Sequence, residues 1–325
     1  MNLYKIIGTS AAAVIVLAQA SCLKDNLNNA DPKAGSNSVV EFQNSSIPVS
    51  YTSIYPQYSN SLLWNPDTAH FNINVNYAGA NDGAPQDIQV TLALDTAALS
   101  KFNADQQADF VVPPTDLYTM PTTVTIPKGK SQATIVVTVK LAADYDYTAS
   151  YILPLKIASA SYGTLSSNFG TAMYSFAGRN KYDGMYSWTQ KQIGWGAYGI
   201  ADVNYGDGSY TYPNNVGLVT AGASSNTTFD KDYGALQPAF TTGGNKTGFG
   251  ATTPLWVFDP STNLIVSISN TTPPDSRNRT LQLNPAVTDS RYDPATKTIY
   301  AAYIMKQTGR PDQYIYDTLV YQGTR

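Results

Sequence analysis

Aromatic side chains crowd one polar, glycine-rich stretch of this sequence. Trp195, Tyr198, Tyr205, Tyr210 and Tyr212 fall within eighteen residues that show no helical periodicity. A sugar presents a flat face of C–H groups beside a rim of hydroxyls, and an aromatic ring can cover such a face. The spacing therefore predicts a loop that binds a polysaccharide or an oligosaccharide by ring stacking.

Polar residues that could bond the hydroxyl rim occur in the same half of the chain. They are Asp202, Asn204, Asn214, Arg277 and Arg279. Carboxylate, amide and guanidinium groups offer the acceptors and donors that hydroxyls need. The alternative is that the aromatic rings fill β-sheet cores or cover hairpin edges, and the same choice applies to Trp188 and Trp256. As a group, the rings favour a binding loop because the residues around them are polar.

Two other motifs in this stretch have simpler explanations. The glycines between Gly194 and Gly199 have the spacing of a dinucleotide-binding loop, but that loop must open a helix, and no helical stripe follows. Asp202, Asn204 and Asp207 are oxygen ligands of the kind that Ca²⁺ prefers. The spacing of a calcium loop is absent, and Asx-turns explain these residues equally well. We predict neither a nucleotide nor a metal here.

The inventory of catalytic groups argues against an enzyme. His70 is the only histidine, and it is predicted on the polar face of a strand without a Ser or Asp motif nearby. This excludes a histidine metal cluster and disfavours a serine triad. A glycosidase needs two facing carboxylates, usually with Glu as the acid, and Glu41 is the only glutamate. We therefore expect no catalytic residue, no metal and no cofactor.

The single cysteine, Cys22, follows a segment with the features of a signal peptide. Met1 to Ser21 contains a positive charge, a short apolar run and small residues before the cut. The tract resembles a bacterial lipoprotein lipobox, in which the cysteine becomes the acylated N-terminus, although Gln19 stands where Leu or Val is usual. Residues 1–21 are thus predicted to be a lipoprotein signal peptide, with lipidation at Cys22.

The residues after Cys22 predict a tether and a location. Residues 22–37 are rich in Asn, Ser, Gly and Pro, and such a segment buries too little apolar surface to fold. The Lys24-Asp25 pair resembles the short charged signal that sends Bacteroidetes lipoproteins to the outer face of the outer membrane. We expect a protein that is anchored to the outer membrane by its lipid and faces the cell exterior.

Composition narrows the fold class and the partners. Removal of Lys5 with the signal peptide leaves 19 of the 20 basic residues against 23 acidic ones, a net charge of -4. This balance favours neither nucleic acid nor an anionic membrane surface, so the lipid is the only membrane contact expected. The 24 tyrosines are typical of a β-rich extracellular protein. The length suggests two domains.

Alternation of apolar and polar residues predicts an all-β fold. It covers His70–Tyr77, Ile88–Leu94, Ala133–Val139 and Tyr151–Ile157. Each segment reads as a strand with one buried face, and turn residues separate them. One short helix is predicted over Thr96–Asn103, with Asp95 or Thr96 as its cap. Residues 38–177 are therefore predicted to form a β-sandwich.

Four blocks of this region follow the order of a known domain. They are Val90–Asp95, Lys101–Asn103, Val124–Gly129 and Tyr151–Ile157. The succession resembles an Ig-like domain of unknown function at the N-terminus of many Bacteroidetes glycan-locus lipoproteins, which also precedes some endo-β-N-acetylglucosaminidases. The resemblance implies an Ig-like sandwich that acts as a spacer, and it carries no catalytic residue.

Residues 178–325 are predicted to form a second antiparallel β domain, after a boundary near Ala177–Asp183. Its predicted strands are Met185–Gln192, Leu255–Phe258, Leu264–Ser269, Thr280–Leu283, Thr298–Met305 and Tyr314–Tyr321. The opening at Tyr182–Tyr186 and the hairpin at Arg291–Tyr300 resemble the C-terminal partner domains of the same lipoproteins. A calycin-like barrel and a second sandwich both fit, and the barrel is slightly favoured.

These observations predict a non-catalytic, cell-surface lipoprotein that binds glycan for a polysaccharide-utilisation system. The second domain carries the site, and the glycan passes to an outer-membrane importer of the same system. The function depends mainly on the family resemblance, with the aromatic segment as independent support. The first alternative is an adhesion or scaffold lipoprotein that binds protein, and the second is a glycoside hydrolase.

Overall fold

The computed structural model describes most of the chain after the predicted tether. The described residues are 38–43, 53–64, 67–79, 83–141, 145–194, 196, 203–205, 215–234, 236, 239–242, 245–248, 252–273 and 276–325. For 203–205, 239–242 and 245–248 only the backbone is described. Within these ranges, no helix has the length and apolar character that crossing a membrane requires. Cys22 and the tether lie outside the described residues.

In the described part of the N-terminal half, ten strands form two five-stranded sheets. The strands are β1 (Val39–Phe42), β2 (Gln57–Leu63), β3 (Thr68–Ala78), β4 (Ile88–Leu94), β5 (Tyr118–Thr119), β6 (Thr123–Ile126), β7 (Gln132–Lys140), β8 (Tyr151–Ala160), β9 (Thr164–Leu165) and β10 (Thr171–Arg179). The first sheet has the order β5-β7-β3-β1-β9, and the second has the order β2-β10-β8-β4-β6. Pairing is parallel between β1 and β9 and between β2 and β10.

The two sheets pack around one hydrophobic core. Every second residue of β3 from Ala69 to Tyr77 is buried in it, because successive side chains of a strand point to opposite faces. Ile73 of the first sheet and Leu153 of the second sheet are both completely buried. The predicted β-sandwich is confirmed, and period-two alternation is its physical basis.

One helix, α1 (Thr96–Gln106), covers part of the outer face of the second sheet. It begins where the sequence predicts, since Asp95 Oδ1 accepts a hydrogen bond from the Ala98 backbone N–H at 3.0 Å. The buried side of α1 packs against Ile152 and Met173. The helix therefore covers an apolar part of the sheet that would otherwise be exposed.

A short connection, Asn180 to Asp183, leads from β10 to the second half. The Asn180 side-chain amide donates to Asn226 Oδ1 at 2.9 Å, and Asp183 Oδ2 accepts from the Thr220 backbone N–H at 2.8 Å. Both connecting residues are buried. The connection is thus fixed by hydrogen bonds to the strands that follow it.

The described C-terminal half contains twelve strands. They are β11 (Gly184–Ile193), β12 (Val203–Tyr205), β13 (Asn215–Gly222), β14 (Ser225–Phe229), β15 (Ala239–Thr242), β16 (Asn245–Gly248), β17 (Pro254–Phe258), β18 (Ile265–Asn270), β19 (Thr280–Leu283), β20 (Arg291–Asp293), β21 (Thr298–Lys306) and β22 (Gln313–Gly323). Ten of them form one sheet with the order β18-β17-β14-β13-β11-β22-β21-β19, and β12 and β20 pair with β11 and β21. Chain order is followed around the sheet, and the last strand returns beside the first.

This sheet curls into a nearly closed barrel. Its terminal strands in the sheet order, β18 and β19, lie side by side, and Asn270 Nδ2 donates to the Arg279 carbonyl across the gap at 2.9 Å. Alternate side chains fill the interior, including Trp188, Trp256 and Ile315. The barrel core and the sandwich core share no residue. Of the two predicted architectures for this half, the barrel is the correct one.

Candidate functional site

Side chains inside the barrel change from aromatic to polar along β11. The buried, inward-facing residues of this strand include, in order, Tyr186, Trp188, Gln190 and Gln192. Burial stabilises the aromatic rings, whereas a buried amide must find hydrogen-bond partners. The chemistry of the interior therefore differs between the two ends of the barrel.

Strand β22 also carries polar side chains inside the barrel, with Gln313 at its start. Its inward-facing residues are Gln313, Ile315, Asp317 and Leu319. Because β22 runs antiparallel to β11, Tyr314 pairs with Ile193 and Gln313 lies near the end of β11. We call this the polar end: the barrel end where β11, β14, β18 and β21 terminate, with Gln190, Gln192 and Gln313 inside.

The carboxylate of Asp317 joins three strands inside the barrel. Its Oδ1 accepts hydrogen bonds from Trp188 Nε1 at 3.0 Å and from Gln190 Nε2 at 2.8 Å, and its Oδ2 accepts from the Tyr303 hydroxyl at 2.9 Å. Burial raises the pKa of Asp317 to about 6, and these three donors oppose that rise. Both carboxylate oxygens are engaged within the protein, so Asp317 orders the barrel interior.

The interior beside Asp317 is almost filled. A cavity of about 10 Å³ remains there, with Trp188, Trp256 and Tyr303 in its wall. This volume holds about one water molecule. Trp256 also donates from Nε1 to Thr228 Oγ1 at 2.9 Å, which fixes its ring. A larger ligand has no space at this level, and the buried amides make the polar end the candidate position for one.

Gln313 marks such a position. The residue is completely buried, and its Nε2 donates to the Pro311 carbonyl at 3.1 Å. Its Oε1 is buried and has no hydrogen-bond partner among the described residues. An unpaired buried acceptor costs about 1–3 kcal/mol, which a ligand hydroxyl or a water molecule would recover. The side-chain amides of Gln190 and Gln192 are in contact at the same end.

Two predicted site residues are also at the polar end. Arg279 precedes β19, is buried, and donates from Nε to Gln307 Oε1 at 3.0 Å, while Arg277 is exposed. The end of β21 pairs both with the start of β19 and with the start of β22, where Met305 is opposite Gln313. The register therefore brings the two arginines and Gln313 to one barrel end.

The predicted aromatic segment begins at this end as well. Gly194 follows directly after β11 with a φ of +93°, and a Cβ there would be 2.8 Å from the Asp312 carbonyl oxygen. A residue with a side chain would be strained at this φ and would meet the backbone of the β21–β22 connection. Glycine thus allows the chain to leave the barrel close to the start of β22.

The structure describes part of that segment. Asn204 and Tyr205 lie on β12, where their backbones pair with Lys191 and Gln190. The remaining predicted site residues of the segment, together with Asn214 and Asp207, lie outside the described residues: Trp195, Tyr198, Asp202, Tyr210 and Tyr212. Their role stays a prediction. Among the described residues, no group of three or more His, Cys, Asp or Glu side chains could hold a metal ion.

Two further tryptophans are buried in the barrel, and the histidine is exposed on the sandwich. Trp188 and Trp256 are each 2 % exposed, so grouping them with surface rings is wrong and the core alternative is correct. His70 is exposed on β3, and its Nδ1 lies 3.0 Å from Thr138 Oγ1 of the paired strand, which confirms the predicted polar face.

Sequence reasoning missed the polar groups inside the barrel. Gln190 and Gln192 lie on one correctly predicted strand, and Asp317 lies on another. Gln313 directly precedes Tyr314, the predicted start of that second strand. The phase of the strand was the available signal: with Tyr186 and Trp188 facing inward, the next two alternate positions also face inward. Glutamine is mostly exposed in folded proteins, so its residue type points away from the interior and hides the signal from the strand phase.

A family model described as an N-terminal domain matches residues 42–163. The match lies within the sandwich and covers fewer than half of the residues of the chain. None of the curated proteins matches this chain. The sandwich therefore resembles a domain that occupies the N-terminal position in other proteins.

Solved structures from Bacteroides are similar to this chain to different degrees. A Bacteroides ovatus protein of unknown function has a TM-score of 0.59 at 14 % identity, over 89 % of this chain and 96 % of that chain. An auxiliary nutrient binding protein from Bacteroides thetaiotaomicron has a TM-score of 0.47 at 15 % identity, over 85 % and 94 %. A structure from the same species with a Man5GlcNAc product has a TM-score of 0.29 at 17 % identity, over 37 % and 28 %. The first of these shows that the fold of both halves recurs in another protein.

We predict that Asp317→Asn removes a pH dependence of stability. Folding raises the pKa of Asp317 from 3.8 to about 6, so protonation of this carboxyl group stabilises the folded state. The stabilisation is fully present below pH 3.8 and is lost as the pH rises through 6. The wild-type free energy of unfolding should therefore fall by about 2–3 kcal/mol from roughly pH 4 to pH 7. The asparagine side chain keeps an acceptor for Trp188 and Gln190, so the variant should fold and show a flatter profile.

Urea unfolding at a series of pH values measures the difference between the two proteins. Aspartates with lowered pKa values, such as Asp259, lose their contribution only below about pH 4 and do not interfere. Parallel wild-type and variant profiles would contradict the raised pKa.

Proposed function

We propose that this chain is a non-catalytic protein that binds a polysaccharide or an oligosaccharide at the polar end of its barrel. The observation that carries the proposal is the buried Oε1 of Gln313, which has no hydrogen-bond partner among the described residues. It lies at the barrel end that also holds Gln190, Gln192 and Arg279, and from which the aromatic segment leaves β11.

The chemistry of this end suits a polyhydroxylated ligand. An amide donates two hydrogen bonds and accepts others, so it can satisfy a hydroxyl in either role. Aromatic rings of the segment that begins at Trp195 would cover the C–H face of a sugar ring. A filled barrel interior below the amides restricts the ligand to the mouth, which suits an extended chain that passes across it.

Binding without catalysis is supported by the state of the buried carboxylates. Hydrolysis of a glycosidic bond needs two carboxyl groups that face the ligand. Asp317 has both oxygens engaged by Trp188, Gln190 and Tyr303.

The proposal extends to the place where the protein acts. Acylation at Cys22 would attach it to the outer membrane, with the tether and the sandwich holding the barrel away from the lipid surface. Facing outward, the protein would pass its glycan to an outer-membrane importer. Adhesion to a protein partner is the alternative, and gels cast with polysaccharides would separate the two, because only glycan binding retards the protein there.

The anchor has its own test. A fatty-acid analogue should label the wild-type protein in cells, and Cys22→Ala should abolish the label because the acyl group needs the thiol. Protease treatment of intact cells then reports exposure, since an outward-facing protein is cleaved. Equal labelling of both proteins would contradict the anchor, and full protection from protease would contradict the outward location.

We predict that Trp195→Ala weakens binding without unfolding the protein. Trp195 lies between Gly194 and Gly196, which have no side chains to pack against it locally. Loss of a stacking platform should cost about 1–3 kcal/mol of binding free energy, by analogy with bases stacked on aromatic rings. Trp256→Phe is the matched control: it disturbs a buried ring and its bond to Thr228, so it should lower the melting temperature and leave affinity unchanged.

Affinity electrophoresis and a melting curve on the same samples distinguish the outcomes. A large fall in the melting temperature of Trp195→Ala would place that ring in the core. Unchanged affinity and unchanged stability would remove the aromatic segment from the site.

We predict that Gln313→Leu separates binding from stability. Leucine removes the buried acceptor that has no partner together with the Nε2 bond to Pro311, so stability should change by less than about 1 kcal/mol. Binding should weaken about tenfold, because the ligand loses its partner at the polar end. Gln322→Leu, at an exposed position of the same strand, should leave both properties unchanged. Wild-type affinity in Gln313→Leu would contradict this site.

A further inference from the structure

A groove of about 480 Å³ lies on the outer face of the second sheet of the sandwich. Ser59 and Ser61 of β2 and Ser175 and Ala177 of β10 line it. On β2, Ser59 and Ser61 are exposed while the next residue, Leu62, is buried in the core, so these serines point away from the core. The volume is in the range of small-molecule binding sites.

The groove exists because two neighbouring rows of the sheet carry small side chains. In the parallel pairing of β2 with β10, Ser59 is level with Ser175 and Ser61 is level with Ala177. The preceding row of β10 has Met173, which packs under α1. The helix thus covers one part of this face, and the small residues leave the next part open.

Aromatic side chains form the walls of the groove, and the Asn103 side chain holds the backbone of one of these residues. Phe110 and Tyr147 both line the groove and are partly exposed. Asn103, near the end of α1, donates from Nδ2 to the Phe110 carbonyl at 2.8 Å and accepts from the Phe110 N–H at 3.2 Å. The Asn103 side chain therefore fixes the backbone from which the Phe110 ring projects.

A second set of bonds joins this wall to the sheet. The Val111 N–H donates to the Ser150 carbonyl at 2.9 Å, and the Ile152 N–H donates to the Val111 carbonyl at 3.0 Å. The segment after α1 is thus paired with the start of β8. This pairing brings Phe110 and the loop that contains Tyr147 to the same groove.

The polar groups of the groove are neutral and partly oriented. Gln57 Nε2 donates to Ser175 Oγ at 3.1 Å, the hydroxyls of Ser59 and Ser175 are 3.1 Å apart, and Asn60 Nδ2 donates to the Ser175 carbonyl at 3.2 Å. None of the described residues that line the groove is charged. A charged ligand would find no counterion among them, whereas hydroxyls and amides offer donors and acceptors to a neutral one.

We propose that this groove is a second binding site, in the sandwich, for a neutral sugar chain. Its hydroxyls and amides would bond the sugar hydroxyls, and Phe110 and Tyr147 would contact the C–H faces. The sandwich would then contribute to binding as well as acting as a spacer. This inference does not depend on the polar end of the barrel, because the two sites share no residue.

Ser61→Trp in the full-length protein tests the groove by filling it. Because Ser61 is exposed, the larger side chain should leave the melting temperature unchanged. Gln89→Trp is the matched control, since Gln89 is exposed on β4 of the same sheet, alternates with core residues, and does not line the groove. The probes are starch, galactomannan, xylan and β-glucan, each cast in a native gel.

For at least one of these polysaccharides, Ser61→Trp should reduce the apparent affinity at least fivefold while Gln89→Trp retains the wild-type value. If Ser61→Trp melts at a lower temperature, Ser61→Arg repeats the test with a side chain that stays solvated at its tip. The second site is overturned if the groove variants keep wild-type affinity for every probe. It is also overturned if no probe retains the wild-type protein. An effect of Trp195→Ala without an effect of Ser61→Trp would leave only the barrel site standing.

Discussion

The pairing of β11 with β22 is the constraint on which the C-terminal half depends. These are the first and last strands of this half, and their register runs from Met185–Gly323 to Ile193–Tyr314. Trp188 and Asp317, which are hydrogen-bonded, are 129 residues apart in the sequence. Closing so long a loop costs conformational entropy, which burial of the barrel interior must offset. The same register brings Gln313 close to the end of β11 and so creates the polar end.

The two ends of the barrel interior differ in the type of side chain that fills them. At the aromatic end, Tyr182 stacks on Phe258 with ring centroids 3.9 Å apart, and the Tyr186 hydroxyl donates to the Tyr182 carbonyl at 2.7 Å. At the polar end, a buried acceptor of Gln313 has no partner among the described residues. The stacked rings stabilise the fold. The acceptor of Gln313 costs stability unless a ligand or water completes it, and the same cost applies to the buried Tyr182 hydroxyl, which also has no partner among the described residues. Asp317 lies between them and holds Trp188 against Gln190.

Local patterns predicted some elements closely and missed others for a physical reason. The predicted bounds of β4 and β19 equal the observed ones, and α1 begins at the predicted residue with Asp95, one of the two predicted caps. Strand β14 was missed because its inward residues, Asn226 and Thr228, are polar and suggest a loop. In the barrel these side chains form hydrogen bonds with Asn180 and Trp256. Both partners are far away in the sequence, so no local pattern predicts the pairing.

Local residue periodicity is enough to predict the all-β class, the strands with clear alternation and the exposed position of His70. The roles of Cys22 and of the aromatic segment remain predictions from residue type and spacing. Three outcomes follow only from the folded structure: a barrel instead of a second sandwich, the inward position of Gln190, Gln192 and Gln313, and the groove beside the serines of β2 and β10. Those outcomes depend on which strands pair and in what register, and pairing between residues far apart in sequence is set by the packing of the whole sheet.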